Sequence, residues 1–143
     1  MVPNNSQNNN FGYTPASLDY LIRALKFFQE VVFSSSVALN PYLKNLVFLM
    51  FGDDMRWNSW AIEQAKSLTN SSAIKFILIK PNEAPVDMCI MTLCDHAIIS
   101  VGTFSWWVGF FNKGIVTYQK EFIGSMRNQY EARDFFLPYW IPL

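Results

Sequence analysis

The sequence predicts an α/β fold: a parallel sheet with helices on both faces. Three observations carry it. Short apolar runs (Leu46 to Phe51, Ile74 to Ile79, Ala97 to Ile99, Ile115 to Tyr118) read as buried strands, and the uncharged, β-branched Ala97 to Ile99 has the mark of one buried on both faces. Segments with apolar residues at helical spacing alternate with them, which is the βαβ pattern. Small residues, Ser100-Val101-Gly102-Thr103, join the third strand to the helix that follows.

Taken in order, residues 1–12 form an Asn-rich, unstructured start. Thr14-Pro15 then reads as a cap followed by proline at a first helical position. Leu18, Leu21, Ile22, Leu25, Phe28 and Val32 repeat at helical spacing, with Asp19, Arg23, Lys26 and Glu30 opposite, giving an amphipathic packing helix. Ser34-Ser35-Ser36 and Asn40-Pro41 read as breakers. Leu46 to Phe51 is the first buried strand, ending at Gly52-Asp53-Asp54. Strand C-terminal ends in open α/β sheets are where ligand groups gather. Trp57 to Leu68 is a second helix, with Trp57, Trp60, Ala61 and Leu68 near one face.

Ile74 to Ile79 is the next strand, stopped by Lys80-Pro81. Glu83 to Cys94 is the third helix, with Pro85 in its first turn and Glu83 or Asp87 near its positive end. After the His96–Ser100 strand, Thr103 to Asn112 is the fourth helix, with Gly114 as the expected residue closing it. Ile115 to Tyr118 is the fourth strand. The tail carries Arg127, Arg133, Phe135, Phe136 and Trp140, and Pro138 and Pro142 argue against regular structure there. Residues 13–143 thus read as one domain, large enough for a proper core.

Composition narrows the function. Hydrophobic residues make up 51% of the 143, aromatics 17% and charged residues only 15%. So apolar a surface suits contact with a partner, a further domain or a membrane. Eleven basic and eleven acidic residues cancel, which argues against nucleic-acid binding. There is no apolar run long enough to span a membrane and no signal-peptide pattern at the start. Two cysteines, Cys89 and Cys94, fall on opposing sides of one helix and suit no disulfide; with a single histidine, a zinc site is not expected. Asn4 and Asn70 begin Asn-x-Ser sequons.

The stretch Ser100 to Ser105 has chemistry to offer. A buried strand running into small residues at a helix start leaves backbone N–H groups free, and these with the helix dipole attract an anion, most often phosphate. Gly102 allows close approach, and the hydroxyls of Ser100, Thr103 and Ser105 can add hydrogen bonds. Plain helix capping is the competing reading, here and for Asp53 and Asp54. Two carboxylates without further ligands make a poor magnesium cage. Asp87 near a helix start also suits a simple charge–dipole interaction. Trp106 and Trp107, inside a helix, read as core, and the lone His96 at a strand start as structural.

The wording of this stretch, Cys94-Asp95-His96-Ala97-Ile98-Ile99-Ser100 leading into Gly102-Thr103-Phe104-Ser105-Trp106-Trp107, resembles the C-terminal motif of the galactoside α-1,2-fucosyltransferase family, glycosyltransferase family 11. Phe51 to Trp57, FGDDMRW, resembles a second motif of that family, in the right order. The resemblance covers roughly Tyr13 to Trp140. It implies a Rossmann-like domain like the C-terminal half of a GT-B-type glycosyltransferase, and transfer of L-fucose from GDP-fucose to a galactose hydroxyl of a glycan, with inversion and without metal or other cofactor. It further implies that Ser100, Gly102, Thr103, Phe104 and Ser105 cradle the diphosphate and that Asp87 accepts the guanine N–H donors. One of Asp53 and Asp54 would cap its helix while the other faces the site. No catalytic base is identified. The family's upstream H-x-R-x-G-D-type motif, whose arginine would neutralise the diphosphate, has no match; Arg23, Arg56, Arg127 and Arg133 lack its context. A Golgi address and membrane association through a segment outside this chain follow from the resemblance alone. The rival expectation is an inactive, truncated remnant or an interaction domain that keeps the fold.

Overall fold

The structure, a computed structural model, describes residues 16–69, 72–121 and 131–143. It is a mixed α/β chain in which every strand pairing among the described residues is parallel, consistent with a Rossmann-like fold. The hydrogen bonds group the strands into two sets, β1-β2 and β3-β4-β5. The chain likewise gathers into two compact units, one built from Ile22–Pro81 and the other from Asn82–Leu143 with the segment ending at Leu21.

The first unit opens with most of helix α1 (Leu18–Phe27), which runs on as a π-helical turn (Phe28–Phe33) and helix α2 (Ser34–Leu39). The serines expected to break the helix continue it instead. Ser34 Oγ donates to the Gln29 carbonyl at 3.1 Å and Ser35 Oγ to the Val31 carbonyl at 2.6 Å, so their hydroxyls bond back along the helix. Asn40-Pro41 does end it.

Strand β1 (Leu46–Met50) pairs with β2 (Ile74–Leu78), Phe48 opposite Phe76, whose rings stack 5.4 Å apart. Neither strand is as buried as the sequence suggested: Val47 is 45% and Ile77 46% exposed. Helix α3 (Met55–Thr69) buries Asn58, Ala61, Ile62 and Ala65. The expected face is therefore rotated: Trp57 and Trp60 are half-buried and Leu68 is exposed. Small alanines permit close packing, and Asn58 is buried because its Nδ2 donates to the Gly52 carbonyl at 3.0 Å.

In the second unit, Ser17 caps α1, its Oγ accepting from the Tyr20 N–H at 3.1 Å. Thr14, Pro15, Asn70 and Arg127 and the Asn-rich start, Asn4 with it, lie outside the described residues. Helix α4 (Ala84–Thr92) precedes β3 (Ala97–Ile99), helix α5 (Thr103–Phe111), β4 (Val116–Tyr118), a 3-10 turn (Ala132–Asp134) and β5 (Ile141–Pro142). Ala97, Ile99, Val108, Val116, Tyr118, Phe136 and Trp140 form its core, with Met88, Met91, Val101 and Trp106 packed around it.

Two expectations change here. Gly114 does not close α5 in a left-handed conformation. Its place is fixed by contact, since a Cβ there would sit 1.7 Å from the Asp95 carbonyl oxygen. Pro138 lies in a turn, as expected, but Pro142 joins a short strand: β5 pairs with β4, Ile141 opposite Thr117, and the Leu143 N–H donates to the Tyr118 carbonyl at 3.0 Å. A proline is tolerated because, among the described residues, β5 has a strand on one side only.

Candidate functional site

Residue Ile99 ends β3 fully buried, and the chain turns through Ser100 to Gly102 into α5. Gly102 is the residue before the helix, with φ +104° and ψ 157°. L-residues avoid that region, so glycine is demanded by the backbone itself. No atom lies within 4 Å of where its Cβ would be, so the turn's outer side is open. No side chain caps α5, and no acidic residue lies in its first turn. The first N–H groups of an α-helix have no partner inside it. The sequence alternatives of capping and anion cradle thus part company: neither Ser100 nor Thr103 caps this helix.

Ser105 behaves differently from expectation. Its Oγ donates inward, to the carbonyls of Ser100 (2.8 Å), Gly102 (3.2 Å) and Val101 (3.3 Å). That hydroxyl folds the turn, and its single proton is committed there. Thr103 and Ser100 are exposed, and Phe104 is 40% exposed. Five of the sequence-predicted residues, Ser100, Gly102, Thr103, Phe104 and Ser105, therefore meet in one turn.

Asp87 sits in the first turn of α4 in the same unit. Its Oδ1 accepts from Asn82 Nδ2 at 2.8 Å and its Oδ2 from the Asn82 N–H at 3.2 Å. The residue is half-buried, and the two bonds from Asn82 leave further lone pairs on the carboxylate. Asp54, in the other unit, caps α3: its Oδ1 accepts from the N–H groups of Trp57 (2.9 Å) and Arg56 (3.1 Å). Asp53 is exposed at the end of β1. Trp106 packs on the core as read from the sequence, its Nε1 donating to the Phe135 carbonyl, whereas Trp107 is 46% exposed.

Sequence reasoning missed Tyr20. Its ring is 1% exposed and its hydroxyl lies 2.8 Å from the Ile99 carbonyl and 3.0 Å from that of Thr117. It therefore anchors the strand ends from which the turn departs. A tyrosine next to the apolar stripe of α1 was the available signal. Gln119, 2% exposed, was missed too; its Oε1 accepts the Ser17 N–H at 3.0 Å. His96 has the structural role read from the sequence: its Nδ1 accepts the Ile115 N–H at 3.0 Å. Burial pushes its pKa below the ordinary 6.5, against the opposing pull of Asp95. Burial, helped by Asp95, raises that of Cys94, and both cysteines are free thiols.

Among the described residues no three His, Cys, Asp or Glu side chains gather as a metal site, and no helix is long and apolar enough to cross a membrane. A small cavity of about 90 Å³ in the first unit, lined by Ile22, Leu25, Lys26 and Thr69 among others, contains none of the site residues.

Residues 13–143 match the family described as glycosyl transferase family 11. The chain belongs to that family. It is 25% identical over 118 residues to an O-antigen biosynthesis glycosyltransferase of Escherichia coli, covering 78% of this chain and 33% of that protein. An alpha-1,2-colitosyltransferase of Escherichia coli is 39% identical over 69 residues, 48% of this chain and 22% of the relative. A galactoside 2-alpha-L-fucosyltransferase of Bos taurus is 29% identical over 101 residues, 66% of this chain and 26% of the relative. The chain thus spans a third or less of the length of these relatives. No solved structure matches it significantly. Family membership makes the chain part of a transferase family.

Proposed function

We propose that this chain supplies the donor-nucleotide part of an α-1,2-fucosyltransferase, whose reaction moves L-fucose from GDP-fucose to a galactose hydroxyl of a glycan. The observation that carries the reading is the open, uncapped start of α5 behind Gly102. As the bond to the fucose anomeric carbon breaks, negative charge builds on the departing diphosphate. Pre-oriented N–H groups at a helix start meet such charge without reorganising. In this reading the N–H groups of Thr103, Phe104 and Ser105 and the Thr103 hydroxyl face the diphosphate. Ser105 shapes the turn, and Asp87 receives the guanine edge on its remaining lone pairs. The relatives named as fucosyl- and colitosyltransferases support the transfer of a deoxy sugar. The acceptor glycan, a Golgi address and membrane association belong to the same proposal. The address rests on the animal relative, since the bacterial ones have no such organelle.

The test is the melting of the 143-residue chain with GDP, with ADP and without nucleotide. GDP at 100 times its dissociation constant stabilises a protein by about 2.7 kcal/mol, a rise of several degrees. Thr103→Pro removes a helix-start N–H and the hydroxyl at a position where proline is tolerated. It should weaken GDP about tenfold or more, at roughly 1.5–3 kcal/mol per charge-assisted hydrogen bond. A chain that melts cooperatively with no response to GDP would sink the proposal.

A further inference from the structure

The end of α4 and the segment after α5 are tied by a compact set of bonds. Asn112 Nδ2 donates to the Cys94 carbonyl at 2.9 Å, and Asn112 Oδ1 accepts the Gly114 N–H at 2.9 Å. Gly114 lies so close to Asp95 that no side chain fits between them. One residue on, His96 Nδ1 accepts the Ile115 N–H at 3.0 Å, and the Ala97 N–H donates to the Ile115 carbonyl at 3.0 Å. The last two bonds open the β3–β4 ladder, in which Ala97 faces Val116. Of all these acceptors only the imidazole nitrogen can be removed by a proton.

We propose that His96 is an acid-released latch: neutral, it holds the Ile115 amide and closes the start of the β3–β4 pair; protonated, it lets that amide go. The balance is simple. A proton taken up at Nδ1 turns the acceptor into a donor, which then faces the Ile115 N–H, and the bond is lost. Bonding at Nδ1 also fixes the neutral tautomer, with the hydrogen on Nε2.

The titratable and charged groups on the two tied segments are Cys94, Asp95 and Lys113. Asp95 favours the protonated imidazole but is outweighed by burial; the Cys94 thiol, its pKa raised, stays neutral. The sign follows. The unfolded chain takes up its proton near the ordinary 6.5, and the folded latch only at lower pH. Between those values the unfolded state binds more protons, so stability falls as pH drops through that window and levels off below it. Ile99, the last residue of the short strand that His96 precedes, leads directly into the Ser100–Ser105 turn. Acid therefore loosens the opening of the β3–β4 pair, while the Tyr20 hydroxyl still serves the Ile99 end from which that turn departs.

His96 is the single histidine of the chain, so its signals are unambiguous. Nitrogen-15 NMR of the intact chain at neutral pH should show the Nε2–H tautomer and a titration midpoint below 6.5. Over the same range the protection factor of the Ile115 amide, corrected for intrinsic exchange, should fall tenfold or more. His96→Asn supplies an acceptor that does not titrate and should keep Ile115 protected with no such pH step. His96→Ala should leave Ile115 unprotected at every pH. An Nδ1–H tautomer, a midpoint at or above 6.5, or Ile115 protection indifferent to His96 titration would overturn the proposal. The two measurements on the unmodified chain decide it even if a variant fails to fold.

Discussion

The two strand sets differ in a direction opposite to their lengths. Strands β1 and β2 have five residues each, yet Val47 and Ile77 are nearly half exposed. Strands β3 and β4 have three residues each, yet Ile99 and Val116 are 2% exposed and Thr117 is fully buried. Their residue types are alike. What differs is what comes to cover them. On β3–β4 the C-terminal tail adds a third strand and lays Phe136 and Trp140 over the core, the Phe136 ring stacking on Tyr118 at 3.8 Å. A β-branched run shows that a strand forms, but only its neighbours decide how deep it lies.

The difference can be broken from the tight side first. Gly114→Ala forces a methyl group into the Asp95 carbonyl, and backbone cannot yield as a side chain can. We expect a loss of about 4 kcal/mol or more, at the exceptional end for a point change. The glycine of the turn supplies the control. Gly102→Ala meets no atom beyond its chain neighbours, and strains only the positive φ, for about 1–3 kcal/mol. Urea unfolding of both variants separates the two kinds of glycine; equal losses would refute the steric account.

Next in size, Phe136→Ala should cost about 3–5 kcal/mol, as for a buried aromatic. Val47→Ala on the exposed sheet should cost under about 1 kcal/mol, because little area leaves contact. Similar losses at the two sites would mean that the sets do not differ in burial. Tyr20→Phe keeps the ring and deletes the hydroxyl that serves Ile99 and Thr117, for about 1–3 kcal/mol. Hydrogen exchange should register that loss at the ends of β3 and β4. The smallest effect is expected at Asp54. Its replacement by alanine removes the cap of α3, for about 1 kcal/mol, read as faster amide exchange in that helix alone.

How much could be read beforehand varied with the range of the interaction. The α3, α4 and α5 helices and the first four strands stand within a few residues of their expected ends, since periodicity and breakers are local signals. The Ser34–Ser36 stretch was misread because serine's hydroxyl can satisfy a helix as well as interrupt it. For the site, the cluster of Ser100 to Ser105 was legible as a strand-to-helix turn. The inward use of the Ser105 hydroxyl was not, because it depends on where three carbonyls of the folded turn point.

By itself the sequence determined the α/β class, the order of strands and helices, the demand for small residues at Ser100–Gly102 and the resemblance to family 11. All of these rest on patterns within short windows. Tertiary structure alone decided that Pro142 could join a sheet, that Tyr20 would anchor two strand ends, and that Gly114 answers to Asp95 rather than to its own helix. Each depends on groups far apart in the chain, and no local pattern encodes which carbonyl a distant residue will meet.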